Sequence, residues 1–219
     1  MNPFEVKDCA LLVRMSGLPP AFNLRELRER IAVCGENVLF HHFCETTLRG
    51  AFDNPDYRND FSVWSKWYLG DRVVSERLGI LDPYAFPSLG ELRAATLEVI
   101  DERLGELSMT SWARPGDELF FMEATTVVFD TGIRISDPRE LAASIEAMTA
   151  GSVYFHFLEA RRRLSLGKDD FSAWLIENGD GEKNLPYIEA LGRIDFYFHT
   201  LSDLRKELVK VLSDLEGAT

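Results

Sequence analysis

The stretch Asp60-Phe61-Ser62-Val63-Trp64 recurs 110 residues later as Asp170-Phe171-Ser172-Ala173-Trp174. Further matches lie on both sides of it. Toward the N-terminus the pairs are Arg25-Glu26-Leu27 with Arg139-Glu140-Leu141, and His42-Phe43-x-Glu45 with His156-Phe157-x-Glu159. Toward the C-terminus they are Leu78-Gly79-x-x-Asp82-x-Tyr84 with Leu191-Gly192-x-x-Asp195-x-Tyr197, and Leu89-x-x-Leu92-Arg93 with Leu201-x-x-Leu204-Arg205.

These five matches keep one order, and their offsets stay between 110 and 114 residues. The small differences in offset fall between the matches, where loops absorb changes of length at little cost. The pattern therefore predicts one structural repeat of about 110 residues, duplicated in tandem. We expect residues 1–113 to form the first repeat and residues 114–219 the second, related by a pseudo-twofold arrangement.

The apolar run Ala10–Val13, which precedes Gly17, predicts a strand in the first repeat. Thr125–Phe129, which precedes Gly132, predicts the equivalent strand in the second. Two copies of such a strand are expected to pair with each other.

Helix-start signals follow each predicted strand. Asn23 and the pair Asp137-Pro138 suit the first helix of each repeat, because Asn and Asp cap orphan N–H groups and proline fits the first turn. The segments around His42 and Asp60 predict two more helices. Ser88-x-x-Glu91 and Thr200-x-x-Asp203 are typical of the start of a fourth. The predicted fold is mainly α (α+β), with one strand and four helices in each repeat.

Charge excludes several kinds of partner. The chain carries a formal net charge of −12, which disfavours binding to nucleic acids and to anionic membranes. It has no apolar run of about 20 residues that could cross a bilayer, and no signal-peptide pattern. We therefore expect a cytoplasmic protein. We also expect a monomer, because a duplicated chain supplies in cis the interface that a homodimer would bury.

The repeated His-x-x-Glu pairs are the first candidate polar site. His42 with Glu45, and His156 with Glu159, are three residues apart and would share one face of a helix. One hypothesis is that these four side chains hold a divalent metal ion. Further carboxylates would come from Asp60 and Asp170 or from Asp82 and Asp195.

The other hypothesis is structural. The repeated carboxylates Asp60 and Asp170 would then satisfy the buried histidine rings without a metal. In that case Glu45 and Glu159 pair with Arg49 and Arg163, four residues further on.

A second candidate site lies where the repeats differ. His41 corresponds to Phe155, and the pair Trp67-Tyr68 corresponds to Glu177-Asn178. If the protein has one specific pocket, we expect His41, Trp67 and Tyr68 to contribute to it.

No nucleophile elbow, phosphate-binding loop, zinc-finger spacing or dinucleotide fingerprint occurs in the chain. The His-Phe, Asn59-Asp60-Phe61-Ser62-x-Trp64 and Leu-Gly-x-x-Asp segments resemble a bacterial and archaeal domain family of uncharacterised function. That resemblance implies the repeated fold and no mechanism. The favoured hypothesis is a helical ligand- or protein-binding or regulatory module without a cofactor. The alternative is a metal-binding protein or a metal-dependent enzyme.

Overall fold

The computed structural model describes residues 2–48, 59–163, 167–178, 181–196 and 199–217. It is mainly helical, with one small two-stranded antiparallel sheet, which confirms the predicted mainly α (α+β) class. None of the helices in these ranges is both long enough and apolar enough to span a membrane.

The described residues of the first repeat form β1, five helices and a short 3-10 turn. Their bounds are β1 Phe4–Met15, α1 Leu24–Val33, α2 Glu36–Cys44, the 3-10 turn Glu45–Leu48, α3 Asp60–Trp67, α4 Arg72–Gly79 and α5 Leu89–Glu106. The four predicted helices are present, and α4 is an additional one. Its C-terminal residue is Gly79.

The second repeat begins with β2 and repeats the helical order. Its elements are β2 Met122–Ile135, the 3-10 turn Pro138–Glu140, α6 Leu141–Ala147, α7 Ala150–Val153, the π-helical segment Tyr154–Glu159, α8 Ala160–Arg163, α9 Asp170–Asn178, α10 Gly181–Gly192 and α11 Leu201–Gly217. The segment around His156 is therefore π-helical, whereas the matching segment of the first repeat is an α-helix that ends in a 3-10 turn.

The two strands pair with each other as predicted, but they are longer than the apolar runs that identified them. Gly132 was predicted to end its strand. Instead it lies inside β2 with a φ of 78°, in the left-handed region that glycine adopts without a steric penalty. Gly17, with a φ of 84°, does follow the end of β1.

Two compact units divide the chain differently from the sequence repeats. The central unit is Leu11–Thr125, and the split unit combines Met1–Ala10 with Thr126–Thr219. Each strand therefore contributes one segment to each unit. The predicted boundary at 113/114 separates the repeats in the sequence. The compact units have different boundaries, because the two parts of each strand pack in different units.

In the central unit, α1 packs against α5 and α3 packs against α4. Leu24, Leu27 and Ile31 are the buried face of α1, which is the face that their spacing predicted. They pack in one apolar core with Phe61 and Phe121. Burial of such faces is the main source of helix stability in a small protein.

In the split unit, α6 packs against α11 and α9 against α10. The first residues of β1 complete this unit. The ring centroid of Phe4 lies 5.1 Å from that of Phe171 and 5.8 Å from that of Trp174, and Val6 is 1% exposed. The N-terminal segment is therefore part of the core that the second repeat's helices form.

Candidate functional site

His42 lies on α2 and is 2% exposed. Its Nδ1 lies 2.6 Å from Oδ2 of Asp60, and its Nε2 accepts a hydrogen bond from the backbone N–H of Met122 at 3.0 Å. A backbone N–H can only donate, so Nε2 must be the acceptor and the proton sits on Nδ1, from which it is donated to Asp60. The ring thus links the start of α3 to the start of β2.

His156 repeats this arrangement in the split unit. Its Nδ1 lies 2.7 Å from Oδ2 of Asp170, and its Nε2 accepts from the backbone N–H of Lys7 at 2.8 Å. The ring packs against Phe4 and Phe171, with centroid distances of 4.8 and 5.7 Å. Both repeated histidines therefore use both ring nitrogens in hydrogen bonds within their own units.

Glu45 was predicted to share one helix face with His42, and it pairs with His41. It lies in the 3-10 turn, and its Oε2 is 2.7 Å from Nδ1 of His41. Both side chains are at most 1% exposed. A contact at i,i+4 replaces the predicted i,i+3 one, because His42 is already turned toward Asp60. The predicted partner Arg49 lies outside the described residues.

Glu159 has the arginine partner that its spacing predicted. Nη1 of Arg163 lies 3.0 Å from its Oε2, and Nη2 of Arg163 also contacts Asp170 at 2.7 Å. Burial raises the pKa of Glu159, and the positive charges of Arg163 and Arg162 oppose that rise. The guanidinium of Arg163 lies 4.2 Å from the ring centroid of Phe155, the residue that corresponds to His41.

Asp60 and Asp170 are each preceded by the cap of their helix. Asn59 accepts from the backbone N–H of Ser62 at 2.9 Å, and Asp169 accepts from that of Ser172 at 2.8 Å. Burial raises the pKa of Asp169, against the hydrogen bonds from Ser172 and the nearby charge of Arg161. The first repeat therefore has a neutral amide where the second has a buried acid.

The residues of the predicted asymmetric pocket differ in exposure. His41 is fully buried, with its Nε2 lacking a hydrogen-bond partner among the residues that the structure describes. Trp67 and Tyr68, at the end of α3, are 61% and 46% exposed. A pocket shared by all three stays a prediction, and Trp67 and Tyr68 are better placed to meet a partner at the surface.

Sequence reasoning missed the long-range backbone contacts of the repeated side chains. The indole N–H of Trp64 donates to the carbonyl of Asp117 and that of Trp174 donates to the carbonyl of Asn2, each at 2.8 Å. These two bonds join residues far apart in sequence, as do the bonds that His42 and His156 accept from backbone N–H groups. In each bond one partner is a backbone group, which has no signature in the sequence.

A metal site would need several nitrogen, sulfur or oxygen ligands on one point. Within the described ranges, no group of three or more His, Cys, Asp or Glu side chains is arranged to hold a metal ion. His42, His156 and Glu45 are instead paired with Asp60, Asp170 and His41.

Comparison with known proteins defines the class of this chain. A family model described as a family of unknown function, DUF5752, matches residues 1–213, so the chain belongs to that family. The solved structure of OrfY from Thermoproteus tenax is similar to it, with a TM-score of 0.80 and 26% sequence identity over 98% of this chain and 96% of that one. No curated protein matches the chain.

Proposed function

We propose that this chain is a binding module without catalytic activity of its own, which docks a protein partner through the surface formed by Trp67, Tyr68 and Val73. This α3–α4 surface lies at the turn between two packed helices of the central unit. The observation that carries the proposal is the exposure of Trp67, which at 61% leaves most of a large indole in water.

The chemistry of the α3–α4 surface fits protein recognition. Tyr68 and Val73 are 46% and 39% exposed. Three exposed apolar side chains therefore lie within seven residues, at the end of α3 and the start of α4. Trp and Tyr are enriched among the residues that carry most of the energy of protein interfaces. Nζ of Lys66 lies 4.9 Å from the Trp67 ring centroid, a cation–π contact that limits the ring's freedom before binding.

The contacts of the candidate polar residues also support the proposal. His42 and His156 are committed to Asp60 and Asp170 and to strand N–H groups, so they contribute to folding. A general base needs an accessible lone pair within reach of a substrate. Because both nitrogens of each ring are used in these hydrogen bonds, we expect neither histidine to act as a general base.

Capture from an extract of the native cells tests the proposal when three proteins are compared in parallel. They are the unchanged chain, a Trp67→Ala, Tyr68→Ala variant and a Val33→Ala control, whose side chain is 70% exposed on α1 of the same unit. We expect one partner to be retained by the unchanged chain and the control and to bind the double variant at least about tenfold more weakly, since interface aromatics contribute about 2 kcal/mol or more. Equal retention of that partner by all three contradicts the proposal.

The rival proposal is that the His-x-x-Glu pairs hold a divalent metal in a metal-dependent enzyme. Elemental analysis of protein purified without chelator tests it on the same preparations. Stoichiometric iron, manganese or zinc that is lost in a His42→Ala, His156→Ala variant would favour the metal-dependent enzyme.

A further inference from the structure

Three consecutive apolar residues of β2 are open to solvent. Val127, Val128 and Phe129 are 41%, 42% and 47% exposed. Successive side chains of a strand point to opposite faces, so exposure of all three leaves both faces of β2 uncovered at this point. An apolar strand that is bare on both faces marks an interaction site.

The edge of β2 is also open in the part of the chain that the structure describes, where the sheet consists of β1 and β2 alone. Alternate residues of an edge strand direct their N–H and C=O groups away from the neighbouring strand, ready for another strand to pair. Proteins usually protect such an edge with charged side chains, proline or a bulge, and the segment Thr125–Phe129 contains no charged residue and no proline. The edge is thus unprotected where its side chains are apolar.

We propose that β2 pairs antiparallel with β2 of a second copy of this chain, forming a four-stranded sheet in a homodimer. The two strands of a symmetric antiparallel pair are related by a twofold axis perpendicular to the sheet. One residue therefore lies opposite the same residue of the second copy. With Val128 at that point, Val127 of each chain faces Phe129 of the other. An aromatic residue opposite a β-branched one is among the favourable cross-strand pairs.

The same register suits the polar residues that flank the apolar centre. Asp130 faces Thr126 of the second copy, and Thr125 faces Thr131, so no like charges are opposed. Moving the centre to Phe129 would place Val128 opposite Asp130 and lose the Val–Phe pairs. The pattern of β2 therefore favours the Val128-centred register over the Phe129-centred one.

Charge also favours a second copy on this sheet. The chain as a whole carries −12, which repels its own copies. The two strands are close to balanced, with acidic Glu5, Asp8, Glu123 and Asp130 against basic Lys7, Arg14 and Arg134. The sheet is thus a place where two acidic molecules approach at low electrostatic cost.

Light scattering on size-exclusion fractions tests the proposal at about 1 to 100 µM, a range that brackets micromolar dissociation constants. We expect the unchanged chain to become dimeric with rising concentration and Val128→Lys to remain monomeric at every concentration. Leu185→Lys is the control, because Leu185 is 50% exposed on α10 of the same compact unit. A monomer at 100 µM, which the duplication of the chain predicts, would overturn the proposal, as would a dimer that Val128→Lys leaves intact.

Distances between spin labels placed away from Val128 test the register and leave the central pair unchanged. Along the strands, two copies of a label at position 130 should be about 13 Å apart and copies at position 133 about 33 Å apart, since each residue from the centre adds about 3.3 Å on each chain. Equal distances at the two positions would refute the Val128-centred pairing. Binding of another protein through the α3–α4 surface is independent of both results.

Discussion

Substitution of Gly151 by alanine tests how the split unit is held together. A Cβ at Gly151 would lie 2.5 Å from the carbonyl oxygen of Cys9 and would also collide with Oδ1 of Asp8. Ordinary contacts begin near 3.4 Å, so the strand must move by roughly 0.9 Å. The obstacle is backbone, which cannot swing aside as a flexible side chain does. The shift also weakens the bond from Sγ of Cys9 to the carbonyl of Gly151, at 3.4 Å.

We expect Gly151→Ala to lower the free energy of unfolding by about 1–3 kcal/mol, the usual cost of overpacking. The gain in helix propensity, at most about 1 kcal/mol, offsets part of this. Gly192→Ala is the matched control, because Gly192 ends α10 in the same unit and its Cβ would meet nothing within 4 Å. The control should change stability by no more than about 0.5 kcal/mol.

Urea unfolding followed by circular dichroism gives the overall midpoint for both variants. Amide hydrogen exchange at Val6 and Cys9 reports the strand segment itself, which matters because a chain with two compact units need not unfold in one step. Faster exchange at these amides in Gly151→Ala alone supports the close approach of strand and helix. Equal exchange and equal midpoints in the two variants would show that the strand does not lie against Gly151.

Three further substitutions probe the buried polar and apolar contacts. Burial raises the pKa of Asp169 above that of an unfolded carboxyl, so its contribution to stability is fully present at low pH and is lost as pH rises through the raised pKa. The urea midpoint of Asp169→Asn, measured as a function of pH, should lack this decline. Parallel plots of midpoint against pH for the variant and the unchanged chain would refute the prediction. His42→Leu should cost about 1–3 kcal/mol and speed amide exchange at Met122, whose N–H loses its buried acceptor; unchanged exchange there would contradict the hydrogen bond. Phe4→Ala should lower the free energy of unfolding by about 3–5 kcal/mol. Leu12 is 64% exposed on the same strand, so Leu12→Ala should lower it by less than about 0.5 kcal/mol. Similar thermal midpoints for the two variants would be inconsistent with the packing of Phe4.

The helix starts could be predicted from the sequence because their signals are local. Asn23 accepts from the backbone N–H of Glu26, and Ser88 from that of Glu91, each within three residues. Asp137 likewise accepts from the N–H of Arg139. Capping depends on a side chain and the turn that follows it, so the short pattern contains all the information that the contact needs.

The strand contacts of the histidines could not be predicted, because no local pattern specifies them. The bond between Met122 and His42 spans 80 residues, and the bond between Lys7 and His156 spans 149. Their donors are backbone N–H groups, which every residue except proline has. The pairing of Glu45 with His41 was missed for a different reason: i,i+3 and i,i+4 partners share a helix face, and only the position of Asp60 decides between them.

These contacts give a structural reason for the polar residues that recur in both halves of the sequence. A histidine that accepts from a strand N–H and donates to an aspartate at a helix start connects three elements, and losing it removes the acceptor of that strand N–H. That requirement applies to each compact unit separately, so duplication preserves the arrangement whatever the protein binds. Specific recognition has no such need for symmetry. We expect it where the repeats differ, as they do where Trp67-Tyr68 in the first repeat corresponds to Glu177-Asn178 in the second.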